Sequence, residues 1–174
     1  MYNRILVALD TLEPAVFETA IDIAAATEAT LLLLHVLYEQ DPASPPLPIA
    51  IARDYATPIC EQSRETYQAQ WRSYVNQSLE TLRDYVSRAE AAGVVADFLQ
   101  TSSAPGKGIC QAAKSWQADL IVMGSHHRQG IEEIILGSVS NYVMHHAPCS
   151  VMIIALDSKQ NEPVASVSSS HRVV

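Results

Sequence analysis

Long apolar runs are missing from this chain, and so is any excess of positive charge. The N-terminal stretch Ile5 to Leu9 meets Asp10 after five apolar residues, too few for a signal-peptide core or for the ~20 residues of a membrane span. A cytoplasmic protein with no membrane partner is expected. Eleven Lys and Arg stand against nineteen Asp and Glu, a net charge of −8, so the average field repels a phosphate backbone and nucleic acid is not an expected partner. Cysteine is scarce. Cys60, Cys110 and Cys149 make no C-x-x-C pair and no tight metal spacing, and their number is odd, which suits buried thiols in a reducing compartment better than a disulfide framework. With 48% hydrophobic and 17% charged residues, the chain is too apolar to stay disordered. Its 174 residues are one domain's worth and can bury about 70% of the extended chain's surface.

What is present is an alternation of short apolar runs with longer amphipathic stretches, the pattern of β-α-β units whose helices cover both faces of a parallel sheet. The expected class is α/β. Arg4 to Leu9 is the first strand, followed by a helix from Pro14 to about Thr27 whose Val16, Ala20, Ile23 and Ala24 recur at spacings of three and four. Thr30 to Val36 is a second strand buried on both faces, with His35 near its end. Pro42, Pro45, Pro46, Pro48 and Pro58 then forbid regular structure. This excursion, about 39–58, is expected to be a loop or flap within the domain, and Leu47, Ile49 and Ile51 imply that part of it packs.

No Gly or Pro interrupts Ile59 to Ala92, so one long helix is expected, ended by Gly93. Its stripe of Tyr67, Trp71, Tyr74, Val75, Ser78, Leu82, Tyr85, Val86 and Ala89 is expected to be core, with a base-stacking platform as the less common use of such rings. Val94 to Leu99 is the third strand, Ala104-Pro105-Gly106 a turn, Ile109 to Trp116 a helix and Asp119 to Met123 the fourth strand. Gly137 opens a helix to about His145, and Cys149 to Ala155 is the fifth strand. The serine-rich tail 157–174 has little to bury and is expected to lie outside the domain, 1–156.

In an open parallel sheet, ligands bind beyond the carboxyl ends of the strands where the winding reverses. The segment G-S-H-H-R-Q-G-I-E-E-I-I-L-G-S-V-S, Gly124 to Ser140, stands there. Its second half opens a helix, whose first N–H groups and positive dipole end favour an anion. Ser138 and Ser140 add hydroxyls and Arg128 a cation. Lys107, Lys114 and Arg128 with only Asp119 make 100–131 less acidic than the whole, while Glu132 and Glu133 act against this. The competing reading is that Gly124 and Gly137 only shape a connection and Ser138 is a plain N-cap. Neither standard phosphate fingerprint occurs: Gly106-Lys107-Gly108 lacks the hydroxyl residue of a P-loop, and D-T-L-E-P follows the first strand where a dinucleotide fold has G-x-G-x-x-G.

The runs R-I-L-V-A-L-D, L-L-H-V, A-D-L-I-V-M-G-S-H and L-G-S-V-S-N-Y-V-M-H-H-A-P-C-S-V-M-I-I together resemble the universal stress protein family, over about residues 2 to 156. The resemblance implies a five-stranded parallel sheet in order 3-2-1-4-5 and a homodimer paired through the strand at 149–155. It also implies, in the nucleotide-binding branch, an ATP or AMP site, with Mg as an accompanying ion. That branch carries G-x-x-G, nine residues, then G-S or G-T; here Gly124 and Gly137-Ser138 match, and His127 stands where the second glycine belongs. The implied site comprises Ala8, Leu9, Asp10, Val36, Met123, Gly124, His126, His127, Gly137, Ser138, Val139 and Ser140. In it Asp10 would contact the ribose, Val36 the adenine, and Gly124, Gly137, Ser138 and Val139 the phosphates. An imidazole at 127 crowds the approach to phosphate, but it tolerates left-handed backbone and can itself donate.

Other chemistries find less support. A phosphoacceptor role for Asp10 needs further acids and a Lys at neighbouring strand ends. His35 fits a packed, hydrogen-bonded residue better than a ligand. Zinc at His126, His127, His145, His146 and Cys149 lacks a second nearby cysteine and tetrahedral spacing. L-G-S-V-S around Ser138 is not a G-x-S-x-G nucleophile elbow. Three functions stay open: a nucleotide-binding stress or signalling module with an unidentified protein partner, a slow ATPase relying on Asp10, and a dimeric interaction protein that binds no nucleotide. Val151, Met152, Ile153 and Ile154 are apolar on both faces of a terminal strand, which invites pairing with a second copy. The Pro-rich excursion could form a lid over the adenine position.

Overall fold

The computed structural model describes residues 1–9, 14–39, 43–48, 58–126 and 137–156. In chain order these form β1 (Arg4–Leu9), α1 (Pro14–Thr27), β2 (Thr30–Leu37), α2 (Pro58–Ala91), β3 (Ala96–Ser102), α3 (Pro105–Trp116), β4 (Leu120–His126), α4 (Ser138–His146) and β5 (Ser150–Leu156). The strands make one parallel sheet in the order β3-β2-β1-β4-β5, as the resemblance implied. The tail 157–174 lies outside the described residues, as do Ile49 and Ile51 of the Pro-rich excursion.

Side chains alternate across a strand, so each apolar run feeds two layers. One face of the sheet, with Ile5, Val7, Leu9, Leu31, Leu33, Leu120 and Val122, is covered by Val16, Phe17, Ala20 and Ala24 of α1 and by Leu82, Tyr85 and Ala89 of α2. The other, with Leu6, Ala8, Leu32, Leu34, Val36, Ile121 and Met123, is covered by Ile109, Ala112 and Ala113 of α3 and by Val143 of α4. Each fully buried Leu or Ile contributes about 1.5–3 kcal/mol by leaving water. On the first face Phe17 stacks on Tyr85 with centroids 4.1 Å apart. The Arg88 guanidinium lies over both rings and pairs with Glu18. That ion pair is half exposed, so it contributes at most about 1 kcal/mol.

Helix α2 bears out the expected core stripe in its C-terminal half and corrects it in the other. At 34 residues it is about 51 Å long, roughly twice the ~23 Å of a seven-residue strand. Among its residues whose burial is described, Ser78, Leu82, Tyr85 and Ala89 are the buried ones. Tyr67, Trp71 and Tyr74 are half-buried, because this half of the helix runs past the sheet, and their rings meet one another at a tilt with centroids 6.2 and 5.6 Å apart. The described part of the Pro-rich excursion lies alongside: Pro46, Leu47 and Pro48 border a groove with Gln62, Ser63, Thr66, Tyr67 and Gln70. Leu47 remains 47% exposed, so it packs less than its apolarity suggested.

Three boundaries also differ from the sequence reading. Strand β3 begins at Ala96 and runs to Ser102, not Val94 to Leu99. Gly93 at φ +79 ends α2, its N–H donating to Glu90 O while Val94 N–H donates to Ala89 O, so Val94 belongs to the helix cap. Gln100, Thr101 and Ser102 continue the ladder opposite His35, Val36 and Leu37; a polar edge strand lacks the apolar signature. Helix α3 starts at Pro105, four residues before Ile109, since proline suits a first turn. Strand β4 extends from Leu120 through Gly124 and Ser125 to His126, past the expected end at Met123. Asp119 lies outside it and accepts from the Asn3 and Arg4 N–H groups, at 2.8 and 3.3 Å. Among the described residues no helix is long and apolar enough to cross a membrane.

Candidate functional site

Where β1 and β4 separate, the sheet opens a crevice. Their ladder ends at Ala8↔Met123, whereas β4 continues beside β5 through Gly124↔Ile154, Ser125↔Ala155 and His126↔Leu156. β1 continues beside β2 to Leu9↔His35. The winding reverses between β1 and β4 in the order 3-2-1-4-5, so the crevice is the topological switch point.

Three of the expected site residues share one face there. Ala8, Val36 and Met123 belong to the layer under α3 and α4. Leu9 lies in the opposite layer, under α1 and α2, so its side chain cannot reach a ligand held under α3 and α4. Helix α4 leaves the carboxyl edge and returns to the start of β5, which pairs Leu120↔Ser150, so it runs against the strands with its N-terminus at the crevice. Asn141 N–H donates to Gly137 O at 2.9 Å. The N–H groups of Ser138, Val139 and Ser140 precede this first intrahelical bond. Gly137, not Ser138, is the N-cap, and among the described residues no side-chain hydrogen bond caps the helix. Ser140 is buried, while Gly137 and Ser138 are exposed. Asp10 and His127 lie outside the described residues, as do Arg128, Glu132 and Glu133; His126 is placed as the last residue of β4.

The two motif glycines have different physical reasons. A Cβ on Gly124 would sit 2.7 Å from Leu156 Cδ1 and 3.2 Å from Val16 Cγ2, so any side chain there would have to displace its neighbours, and packing favours glycine. Gly137 has φ −61, which any residue adopts, and among the described residues nothing lies within 4 Å of an added Cβ. Neither strain nor packing calls for glycine at 137; an open approach to the helix N-terminus is what its missing side chain provides. At the other wall the first turn of α3 packs on Val36, whose Cγ2 is 3.4 Å from the Cβ position of Gly108. Gly106 meets the ring of Tyr142, which holds α3 close to α4.

Ser125 was not among the expected site residues. The residue is 2% exposed, and among the described residues its Oγ has no hydrogen-bond partner. It follows Met123 and Gly124 in the alternation, so it faces the α3 and α4 side. Its signal in the sequence is an uncharged hydroxyl residue at an inward position of a strand end.

His35 behaves as the sequence suggested. It is buried on the α2 side, where Gln100 Nε2 lies 3.1 Å from its Nδ1 and donates to Ser78 Oγ at 2.7 Å. Tyr74 Oη is 3.5 Å from its Nε2. Burial pushes the thiols of Cys110 and Cys149 up, and Asp119 and Cys110 add to the effect at Cys149, so both are protonated at neutral pH and poor metal ligands. Among the described residues no group of three or more His, Cys, Asp or Glu is arranged to hold a metal ion. A separate cleft of about 450 Å³ lies beyond β2 and β3 on the α2 side, lined by Tyr38, Glu39, Tyr67, Trp71 and Ser102 among others. Burial and then the Glu39 carboxylate raise the pKa of Tyr67 there.

Comparison with known proteins gives this architecture a family. The chain matches the universal stress protein family over residues 1–155. Universal stress protein Sll1388 of Synechocystis sp. is 33% identical over 157 residues, covering 88% of this chain and 97% of its own length. Universal stress protein Slr1101 of the same organism is 42% identical over 94 residues, 54% of this chain and 87% of its own. Among solved structures, universal stress protein UspA from Lactobacillus plantarum superposes with a TM-score of 0.63 at 25% identity, covering 88% of this chain and 97% of that one. A universal stress protein family protein from Arabidopsis thaliana with AMP bound gives 0.56 at 21% identity, covering 90% and 93%. Sheet order, match length and relatives agree, and the chain belongs to the universal stress protein family.

Proposed function

We propose that this chain binds an adenine nucleotide, AMP or ATP, in the crevice between β1 and β4, and acts as a dimeric stress-response or signalling module. The observation that carries the reading is the N-terminus of α4, which meets the switch point with an uncapped, glycine-opened first turn. Three successive N–H groups and the positive end of a helix dipole suit a phosphate. Gly137, Ser138 and Val139 hold the phosphates by backbone and hydroxyl, Gly124 borders them, Val36 meets the adenine and Asp10 takes the ribose hydroxyls. His127 stands where the family's glycine would admit the phosphates, which favours the smaller AMP. Three solved neighbours, each similar in fold, support the ligand class: the Arabidopsis protein has AMP bound, one from Archaeoglobus fulgidus is in complex with dAMP, and another universal stress protein is in complex with cAMP.

No bond need be made or broken. A ligand that spans β1, β4 and α4 stabilises the bound arrangement by mass action and changes the surface that a partner meets. Isothermal titration of the full chain with AMP, ATP and GMP tests this. Saturable AMP binding, tighter than GMP, is the expected result; no heat from any of them at millimolar concentration overturns it.

A further inference from the structure

Resting on that nucleotide reading and deepening it, we infer that Ser125 is the side chain that recognises the ligand's phosphate. A buried hydroxyl without a partner has lost its water and gained no hydrogen bond in exchange, which destabilises the form that holds it. Native proteins keep few such groups. Ser125 Oγ is one, at 2% residue exposure, and its position is specific. Met123 lies in the layer with α3 and α4, and the missing Cβ of Gly124 faces Val16 and Leu156 on the other side. Ser125 therefore faces the α4 layer, beyond the last β1–β4 pair, where the strands have parted and α4 begins. Ser140, in the first turn of α4, is buried as well.

A phosphate oxygen at that helix N-terminus is an acceptor within the layer that the hydroxyl faces, and the hydroxyl is the donor. Oγ is buried in the ligand-free chain, and its contact with the phosphate is made only in the bound state. The unsatisfied hydroxyl raises the energy of the empty form and is relieved in the occupied one, so it increases the difference between them. The contact is specific for the phosphate, since the base and ribose lie toward Val36 and β1.

Titrating AMP and adenosine into the full chain and into Ser125→Ala tests this. The alanine variant is expected to bind AMP at least about tenfold more weakly, a charge-assisted hydrogen bond lost, and to bind adenosine as the unsubstituted protein does. Its ligand-free melting temperature is expected to be equal or higher, because an unsatisfied buried hydroxyl is gone. Ser125→Cys, close in volume with a weak donor, is expected to lose AMP affinity likewise. Unchanged AMP affinity in both variants, equal losses for AMP and adenosine, or a lower ligand-free melting temperature in both variants would overturn the role of Ser125 while leaving nucleotide binding standing. Failure of the unsubstituted protein to bind AMP overturns both readings.

Discussion

Two glycines of the same motif separate packing from binding. Alanine at position 124 would press on Leu156 and Val16 and is expected to cost about 1–3 kcal/mol, the usual penalty of overfilling a core. Urea denaturation followed by circular dichroism measures it. At position 137 the backbone is ordinary and, among the described residues, nothing crowds the added Cβ, so alanine is expected to change stability by less than about 1 kcal/mol, the difference between glycine and alanine at an N-cap. On the proposed nucleotide reading that Cβ would stand beside the phosphate, so AMP affinity is expected to fall about fivefold or more in calorimetry. A stability loss at 137 as large as that at 124 would mark both glycines as scaffold residues. Spacing in the sequence places both residues, but it cannot tell them apart, because the neighbours that make 124 crowded come from α1 and β5.

At the scale of elements, α2 is a helix with two environments. Its C-terminal half is bolted to the sheet by Leu82, Tyr85 and Ala89, while Tyr67 and Trp71 remain half-buried beyond it. Leu82→Ala is expected to destabilise by about 2–5 kcal/mol, and Trp71→Ala by about 1 kcal/mol or less, with the two compared by thermal unfolding. Amides of 61–75 are expected to exchange with deuterium faster than those of 78–91, since local opening there disrupts little buried apolar surface. Equal protection along the helix would mean that a partner or another copy covers its projecting half. An unbroken 34-residue run of helical spacing was legible; which end lies on the sheet was not, because periodicity is the same over a sheet and beyond it. Strand β3 shows the converse, its polar Gln100 to Ser102 entering the ladder through His35 and β2, without a signal of their own.

For the whole molecule the open question of assembly turns on β5. Val151, Met152, Ile153 and Ile154 stay only half-buried at the sheet edge, a row of apolar side chains and unpaired backbone that a second copy can cover. Sedimentation at micromolar concentration is expected to give twice the 19.0 kDa chain mass, and Ile153→Lys to shift it toward one chain while the fold, checked by far-ultraviolet circular dichroism, is kept. A single-chain mass for the unsubstituted protein would rule out the dimer.

By itself, the order of apolar runs and helical spacings determined the α/β class, β1, α1 and the long helix, since these depend on burial periods that neighbours in sequence already carry. Motif residues determined the family resemblance and pointed to Val36, Met123, Gly124 and the opening of α4. Only the tertiary structure decided that β4 runs on to His126, that Leu9 turns away from the crevice, and that Ser125 is buried without a partner. Each of these rests on which strand pairs with which and on what lies across the sheet, contacts between residues far apart in the chain that no local pattern encodes.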